Sequence, residues 1–397
     1  MKKILILGAS ASQVPLIKTA RKMGRHTIAA STPGAWPGFN EADQAAYVDI
    51  SDPEAVLACA RENQVDGVTT CCLDTGVPAI GLVCEKLGLS GPGWEASLKA
   101  RYKDRMKEAF ARSGVRTARF FVVHTPEEGE DALEKLGVPV MVKVPDLMGG
   151  RGIFRCETPE EADQVLRLCF TEYNSTSVVM EERLTGTLFG AEAMLQNGKL
   201  VFCTVNNTEI SDTPVPLPVG HTIPFEGGEK VLEEALRQVR LAVSALGIDN
   251  CPVNCDLMVS GEEVYVIEMA ARCGGTGLPE LISEQYRMDY YEALLRLALG
   301  EPVGPMFAQG PCGDCIVSHT LQSPSDGVVE EIGMPQDHPD WLRSLVIDVR
   351  EGDPVRRFRN GRDRIGQVIL TGKDAGDAKD HLDKVLSSLH LKVSMGK

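Results

Sequence analysis

The sequence predicts an α/β fold at the start of the chain and mixed α+β structure after it. Short apolar runs alternate with helical patterns through residues 2–87, an order typical of parallel βαβ units. Gly91-Pro-Gly93 interrupts this alternation, and short strands and turns dominate from about residue 307. We therefore expect three domains: an α/β domain of residues 1–93, a central domain of residues 94–306 and a β-rich lobe of residues 307–397.

The composition is that of an ordinary globular protein, with 43% hydrophobic and 24% charged residues among 397. A net charge of −15 argues against general binding of nucleic acids or anionic membranes, although it leaves room for a local basic nucleotide pocket. The segment Met1–Leu7 enters a strand pattern directly, and its apolar run is too short for a signal peptide. No run approaches a membrane span, so we expect a cytoplasmic protein.

The twelve cysteines are scattered and do not form a disulfide or zinc pattern. In a reducing compartment they are typical of small buried hydrophobic residues. Cys312 and Cys315 form a single CxxC pair, and His319 alone does not supply the second ligand pair of a structural zinc site. The cysteines expected in apolar runs are Cys71, Cys72, Cys84, Cys169 and Cys203.

The turn after the first strand is not a dinucleotide fingerprint. Ser10 and Gln13 stand where Gly-x-Gly-x-x-Gly needs glycine, and Ser31-Thr32 ends the second strand where a ribose-binding acid is expected. Both observations argue against an NAD-dependent oxidoreductase. Asp74 ends the third predicted strand, where it is placed either to contact a ligand or to form a plain turn.

The central domain combines helices with strand pairs. A basic helix is expected from Trp94 to Arg112, and Thr125 has the pattern of a helix cap. Other expected elements are a strand at Phe120–Val123, a hairpin of residues 189–194 and 199–204, and helices at Glu229–Leu246, Asp289–Leu299 and about 375–389.

A lysine and a glycine-rich loop together suggest phosphate binding. Lys143 lies near the end of the strand Gly137–Val144, directly before the loop Asp146–Ile153. The lysine supplies a point charge, and loop amides can close over phosphate oxygens. No Lys-Ser/Thr follows the glycines, so the loop is not a Walker A motif. A hairpin turning at Gly149-Gly150 is the purely structural alternative.

Two acids and an arginine mark a second candidate site. Asp256 and Glu268 lie in neighbouring strands joined by the turn Ser260–Glu262, so they can face each other across a hairpin. Paired carboxylates suit Mg²⁺, which binds one or two of them plus phosphate oxygens. Arg272 follows and could stabilise a transferring phosphoryl group. The alternative is a surface hairpin with solvated acids.

Residues 209–224 are rich in proline, and we expect a long loop without secondary structure there. Such loops are usually functional or disordered. His221 lies in this loop. It is either a functional group of this loop or a histidine satisfied by backbone groups.

Taken together, these motifs resemble the ATP-grasp superfamily along essentially the whole chain. The resemblance implies a parallel N-terminal domain, a two-lobed ATP-grasp domain with lobes of about 94–178 and 179–306, and a C-terminal β-rich lobe. The chain looks most similar to the branch with carbamoyl-phosphate synthase large-subunit halves, glycinamide ribonucleotide synthetase and L-amino acid ligases. Those enzymes use ATP to convert a carboxylate into an acyl phosphate, which an amine then attacks.

The resemblance also implies roles for individual residues. Asp256 and Glu268 match the Mg²⁺ acids, Arg272 matches the basic residue near the phosphoryl group, and His221 lies in a Gly-His-x-x-Pro sequence near substrate. The implied cofactors are ATP and Mg²⁺, as two ions, with Mn²⁺ as an alternative. The implied ATP-binding residues are Lys103, Lys143, Gly149, Gly150, Gly152, Glu181, Glu182 and Leu184. The implied substrate-binding residues are Asp74, Gly275 and Thr276.

Three positions depart from the family pattern. Tyr102 precedes Lys103 where the family has Asp, and Leu188 stands where an acid often holds the ATP ribose. Glu192 either replaces that acid or lines the substrate pocket. Ala270 stands where an Asn ligand is common, a pattern that resembles the amino-acid ligases.

We therefore expect an ATP- and Mg²⁺-dependent carboxylate–amine ligase acting on amino-acid-like small molecules, with neither nucleic acid nor membrane as a partner. Homodimers are the commonest oligomers of such enzymes. One alternative is a bicarbonate-activating or purine-biosynthesis-type ATP-grasp enzyme. Another is a nucleotide-binding protein without turnover.

Overall fold

The computed structural model describes residues 1–213, 216–335 and 337–394. Its first elements are β1 (Lys3–Leu7), α1 (Val14–Lys22), β2 (His26–Ser31), α2 (Pro37–Glu41), β3 (Gln44–Tyr47), α3 (Pro53–Asn63), β4 (Gly67–Thr69) and α4 (Val77–Leu87). The strands form a parallel sheet in the order β3-β2-β1-β4. Ile4 and Ile6 pack with α1, whereas Leu5 and Leu7 pack with α3 and α4. Helices therefore cover both faces, which confirms the α/β start.

The expected helix from Trp94 to Arg112 is two helices, α5 (Trp94–Arg101) and α6 (Lys103–Arg112). Tyr102 between them is extended, with φ −106° and ψ 119°. The amide of Lys103 donates to the carbonyl of Pro145 at 3.2 Å, outside the helix. The prediction of one helix was wrong because a contact more than forty residues away in sequence competes with the local helical pattern.

A four-stranded antiparallel sheet follows, with order β5-β8-β6-β7. The hydroxyl of Thr125 accepts a hydrogen bond from the Glu128 amide at 3.2 Å, which confirms the predicted cap. The elements are β5 (Phe120–Val123), α7 (Pro126–Leu136), β6 (Val140–Lys143), β7 (Ile153–Cys156), α8 (Pro159–Thr171) and β8 (Val178–Glu182).

The remaining strands form one large antiparallel sheet and a small one. The elements are β9 (Thr187–Gln196), β10 (Lys199–Ile210), β11 (Pro218–Ile223), α9 (Glu229–Leu246), β12 (Pro252–Ser260), β13 (Glu263–Ala270), α10 (Leu278–Tyr286), α11 (Tyr290–Ala298), β14 (Cys315–Gln322), β15 (Gly327–Gly333), β16 (Leu342–Ile347), β17 (Pro354–Val355), β18 (Arg364–Gly372), α12 (Ala375–Ser388) and β19 (His390–Ser394). The orders are β13-β12-β9-β10-β11-β14-β18-β16 and β17-β15-β19.

The expectation of a structureless loop over residues 209–224 was wrong. Residues 218–223 form β11, which pairs with β10 and β14, although residues 214 and 215 lie outside the described ranges. Pro218 occupies the first position of the strand, where proline is tolerated. Val219 and Ile223 are buried, so packing outweighs the turn-like composition.

None of the helices in these ranges combines the length and the apolar character needed to cross a membrane. All twelve cysteines are unpaired. Cys71, Cys84 and Cys169 are buried as expected, whereas Cys72 and Cys203 are partly exposed. Within the described ranges no three His, Cys, Asp or Glu side chains are grouped as metal ligands.

Candidate active site

A cavity of about 410 Å³ lies where the four-stranded sheet faces the large sheet, a volume typical of small-molecule sites. The loop after β4 and the segment after β17 also reach it, through Asp74 and Phe358. The cavity brings together most of the residues singled out from the sequence: Asp74, Lys103, Lys143, Gly149, Gly150, Glu181, Glu182, Leu184, His221, Asp256, Glu268, Arg272, Gly275 and Thr276. Gly152 and Glu192 do not line it.

Asp256 and Glu268 are direct partners in the β12–β13 ladder. The register shifts after this pair so that Ile267 is an extra residue, and Ile267 and Glu268 both reach the cavity. Burial and the charge of Glu268 raise the pKa of Asp256 to about 6. A divalent cation between the carboxylates would relieve this repulsion, and these hard oxygen donors fit Mg²⁺.

The two predicted phosphate lysines are paired with acids. Lys103 Nζ lies 3.3 Å from Glu268 Oε1 and donates to the Leu147 carbonyl at 2.7 Å. Lys143 forms an ion pair with Glu181. Both lysines are buried at the cavity wall, so an incoming polyphosphate would meet them with little water around their charges.

Sequence reasoning missed Lys107, which is buried behind this wall. Its Nζ lies 2.7 Å from Glu181 Oε2 and donates to Thr117 Oγ1 at 2.6 Å. Burial alone would raise the pKa of Glu181, but the charges of Lys107 and Lys143 lower it to about 2. Glu181 is thus a structural anion that holds two lysines, while the neighbouring Glu182 is the last residue of β8. The sequence did contain a signal for Lys107: it follows Lys103 by four residues, so the two lysines lie on the same face of α6.

The glycine loop forms one edge of the cavity. Gly150 has a φ of +79°, and the Leu217 side chain packs so closely on it that a Cβ would collide. Leu217 is buried in a small cluster with Val219 and Phe358. Gly152 lies at the base of the loop, where its carbonyl accepts from the Val144 amide at 2.8 Å.

Apolar side chains that the sequence did not reveal line the rest of the cavity. Leu184 and Leu188 follow β8, and Met258 lies on the same face of β12 as Asp256. Met141 of β6 contributes from the four-stranded sheet. These walls suit a flat apolar ring such as a nucleobase.

Arg272 is held by Asp74. Its Nε and NH2 donate to the two Asp74 oxygens at 2.7 and 3.0 Å, and NH1 donates to Asn254 Oδ1 at 3.3 Å and the Cys273 carbonyl at 3.0 Å. Burial would raise the pKa of Asp74, but the guanidinium holds it below its usual value. The charge of Arg272 is therefore fixed in one orientation beside Gly275 and Thr276.

His221 lies on β11 and not in a loop, and it lines the cavity. Its Nδ1 lies 3.0 Å from Asn206 Oδ1 and 3.4 Å from Thr208 Oγ1. Burial lowers the pKa of His221 to about 4, which keeps the ring neutral at physiological pH.

Glu192 occupies neither of the places expected for it. It lies on β9 with 0% exposure, and its Oε1 accepts from the Gly274 amide at 2.7 Å. Tyr290 and the turn at Gly274 cover it, so it does not reach the cavity wall where Leu188 lies.

Comparison with known proteins supports one family over nearly the whole length. Residues 101–208 match the family model "Phosphoribosylglycinamide synthetase, ATP-grasp (A) domain", and residues 319–394 match "L-amino acid ligase C-terminal domain 2". A formate-dependent phosphoribosylglycinamide formyltransferase of Synechococcus sp. (strain WH7803) is 26% identical and covers 98% of both chains.

Solved structures agree with this assignment. An L-amino acid ligase from Bacillus licheniformis has the same fold, with a TM-score of 0.84 at 21% identity over 99% of both chains. The phosphoribosylglycinamide synthetase from Anaerococcus prevotii also has a TM-score of 0.84, and it is 32% identical over 99% of this chain and 100% of its own. On that similarity, the chain belongs to the ATP-grasp superfamily of ATP- and Mg²⁺-dependent ligases.

Proposed function

We propose that this chain joins a carboxylate to an amine through an acyl phosphate, with amino-acid-like molecules as substrates. The observation that carries the proposal is the opposition of Asp256 and Glu268 in one cavity that is also lined by five cationic side chains. Lys103, Lys143 and Arg272 are the three that were expected from the sequence, and Arg155 and Arg183 are the other two. Opposed acids suit a metal, and converging cations suit a polyphosphate.

When bound, ATP supplies the γ-phosphoryl group and Mg²⁺ offsets its negative charge. In the proposal Asp256 and Glu268 hold the metal, and Lys103 and Lys143 neutralise phosphate oxygens. The apolar walls and the segment from Glu182 to Leu184 hold the adenine.

The reacting carboxylate would lie beside Arg272 and the turn residues Gly275 and Thr276. Arg272 would stabilise the charge that spreads over the transferring group. Asp74 keeps its guanidinium oriented. The Gly149-Gly150 loop lines the cavity and would limit access of water to the intermediate. His221 lines the cavity and would accept a proton from the attacking amine.

Two features support amino-acid-like substrates. Residues 319–394 match the C-terminal domain model of L-amino acid ligases. Ala270 removes one side-chain oxygen near the metal acids, as in the amino-acid-ligase pattern.

A second candidate is a purine-type reaction on a phosphorylated amine. The 32% identical relative is named a phosphoribosylglycinamide synthetase. In this chain, exposed Arg356, Arg357 and Arg362 flank Phe358 and Gly361 at the cavity edge, an arrangement that could attract an anionic substrate.

The test is phosphate release from MgATP with amino acids added singly and in pairs, with the product identified by mass. Release that requires an amino-acid pair and yields a ligated mass supports the proposal, and Glu268→Ala should abolish it. Release stimulated by phosphoribosylglycinamide with formate supports the second candidate. Release with bicarbonate alone indicates carboxyphosphate chemistry, and ATP binding without any release indicates a protein without turnover.

A further inference from the structure

Glu192 is a buried carboxyl that the proposed reaction does not use. It is 0% exposed, and within the described ranges no Lys, Arg or His forms an ion pair with it. Burial raises its pKa to about 8. A buried acid without a cationic partner costs stability that an amide of the same shape would avoid. Such a group calls for an explanation beyond packing.

Its contacts converge on the turn that carries Arg272. Glu192 Oε1 accepts from the Gly274 amide at 2.7 Å, and the Tyr290 hydroxyl donates to Oε2 at 3.4 Å. A Cβ on Gly274 would lie 2.5 Å from Glu192 Oε1 and 2.9 Å from Asn254 Nδ2. The Glu192 carboxyl and the Asn254 side-chain amide therefore pack directly against the backbone of the turn at Gly274.

Asn254 connects the carboxyl to the guanidinium. It is the ladder partner of Glu192 on β12, and its side chain helps to stabilise the charged form of the Glu192 carboxyl. Its Oδ1 accepts from Arg272 NH1 at 3.3 Å. One carboxyl thus holds the turn at two points, at Gly274 directly and at Arg272 through Asn254.

We propose that Glu192 is a positioning residue that fixes the turn from Arg272 to Gly275 and, through Asn254, aims the Arg272 guanidinium at the reacting group. This inference rests on the proposed function, because the aim of Arg272 matters only if a phosphoryl group lies beside it. Misplacing a reacting or stabilising group by 1 Å can cost about a hundredfold in rate.

If Glu192 positions the turn, the pH dependence of turnover should depend on the ionisation of Glu192. A residue that only fills space would not produce such a pH dependence. As pH rises through about 8, the carboxyl becomes an anion, which changes its interactions with the Gly274 amide and the Asn254 side chain. Turnover should therefore change with an apparent pKa near 8. The titratable or charged groups that surround it are Arg272, Cys273, Cys72, Cys203, Cys255 and Tyr290.

The experiment compares Glu192→Gln and Glu192→Ala with the wild type, measuring kcat and the KM for MgATP from pH 6 to 9. In Glu192→Ala we expect kcat to fall about 10- to 100-fold while KM for MgATP changes less than about threefold. Glu192→Gln should restore most of the activity at pH 7 and lose the change near pH 8. An unchanged kcat in Glu192→Ala, or a glutamine variant as poor as alanine at pH 7, would overturn the proposal.

Trypsin cleavage after Arg272 tests the turn without any substrate. Glu192→Ala should accelerate this cleavage in the folded protein, and an unchanged rate counts against the proposal. If the wild type shows no ATP-dependent phosphate release, the proposed function is refuted. The cleavage assay needs no substrate, so it still tests whether Glu192 fixes the turn. If Glu192→Ala does not fold, Asn254→Ala takes its place: faster cleavage and lower kcat support the link to Arg272, and wild-type behaviour overturns it.

Discussion

Asp74 and Arg272, 198 residues apart in sequence, form an ion pair with two hydrogen bonds of 2.7 and 3.0 Å. The pair joins the loop after β4 to the turn after β13. Asp74→Asn keeps the shape and removes the charge, which leaves the largely buried guanidinium without its anion. We expect the free energy of unfolding, measured by urea denaturation, to fall by about 1–3 kcal/mol, and kcat to fall as well.

The exposed pair Arg359–Asp326 provides the matched control, with a separation of 2.6 Å. Asp326→Asn should change the unfolding free energy much less than Asp74→Asn does, because solvent screens exposed charges. Equal losses in the two variants would show that Asp74 does no more than a surface charge.

The opposed acids predict a pH dependence of stability without Mg²⁺. The pKa of Asp256, about 6, lies above its usual value of 3.8, so the folded state keeps a proton that the unfolded state loses. The contribution of Asp256 to the unfolding free energy should therefore fall by about 1–3 kcal/mol as pH rises from 4 to 6. In Glu268→Gln this fall should shrink, because part of the repulsion is gone; urea titrations at several pH values measure it.

The same Glu268→Gln variant should lose Mg²⁺-dependent phosphate release while it stays folded by circular dichroism. Full activity in this variant would contradict the metal role of Glu268. A loss of both activity and structure would instead assign Glu268 to the fold, through its pair with Lys103.

Gly149 and Gly150 allow a controlled test of the loop. Both have positive φ, of +64° and +79°, so alanine strains either backbone similarly. Only at Gly150 would the new Cβ also meet Leu217, whereas nothing lies within 4 Å at Gly149.

We therefore expect Gly150→Ala to displace the loop and lower kcat about tenfold or more, and Gly149→Ala to have a clearly smaller effect. Trypsin should cleave Gly150→Ala faster at the exposed Arg151 within the loop. Similar cleavage and activity in the two variants would mean that the Leu217 contact does not hold the loop.

Because His221 is buried, we expect the protein to lose stability at acid pH. Its pKa of about 4 lies below the usual 6.5, so the unfolded state binds a proton before the folded state does. The associated stability is complete above pH 6.5 and is lost as pH falls through 4, by about 2–3 kcal/mol.

In His221→Asn, the loss of unfolding free energy at acid pH should be smaller than in the wild type. The pH–rate profile of the wild type should have no step near 6.5 from this residue. The exposed His124 gives the control, since His124→Asn should leave the acid curve as in the wild type. An inflection near 6.5 that vanishes in His221→Asn would contradict the buried, neutral ring.

Local patterns predicted the parts of the site that are local in sequence. Asp256 and Glu268 meet because one short turn sets the register of β12 and β13, and Lys143 precedes its glycine loop directly. The distant contacts had no local signal. Glu192 is covered by Tyr290, 98 residues away, and the helix break at Tyr102 depends on Pro145.

The pairing of β11 with β14 runs across the boundary expected at residues 306 and 307, with Gly220 opposite His319. β14 and β18 continue the same sheet that holds Asp256 and Glu268. A chain ending at residue 306 would expose the unpaired edge of β11, a template for aggregation. The C-terminal lobe is therefore not an interchangeable module: a chimera with a relative will fold only if it preserves this strand register.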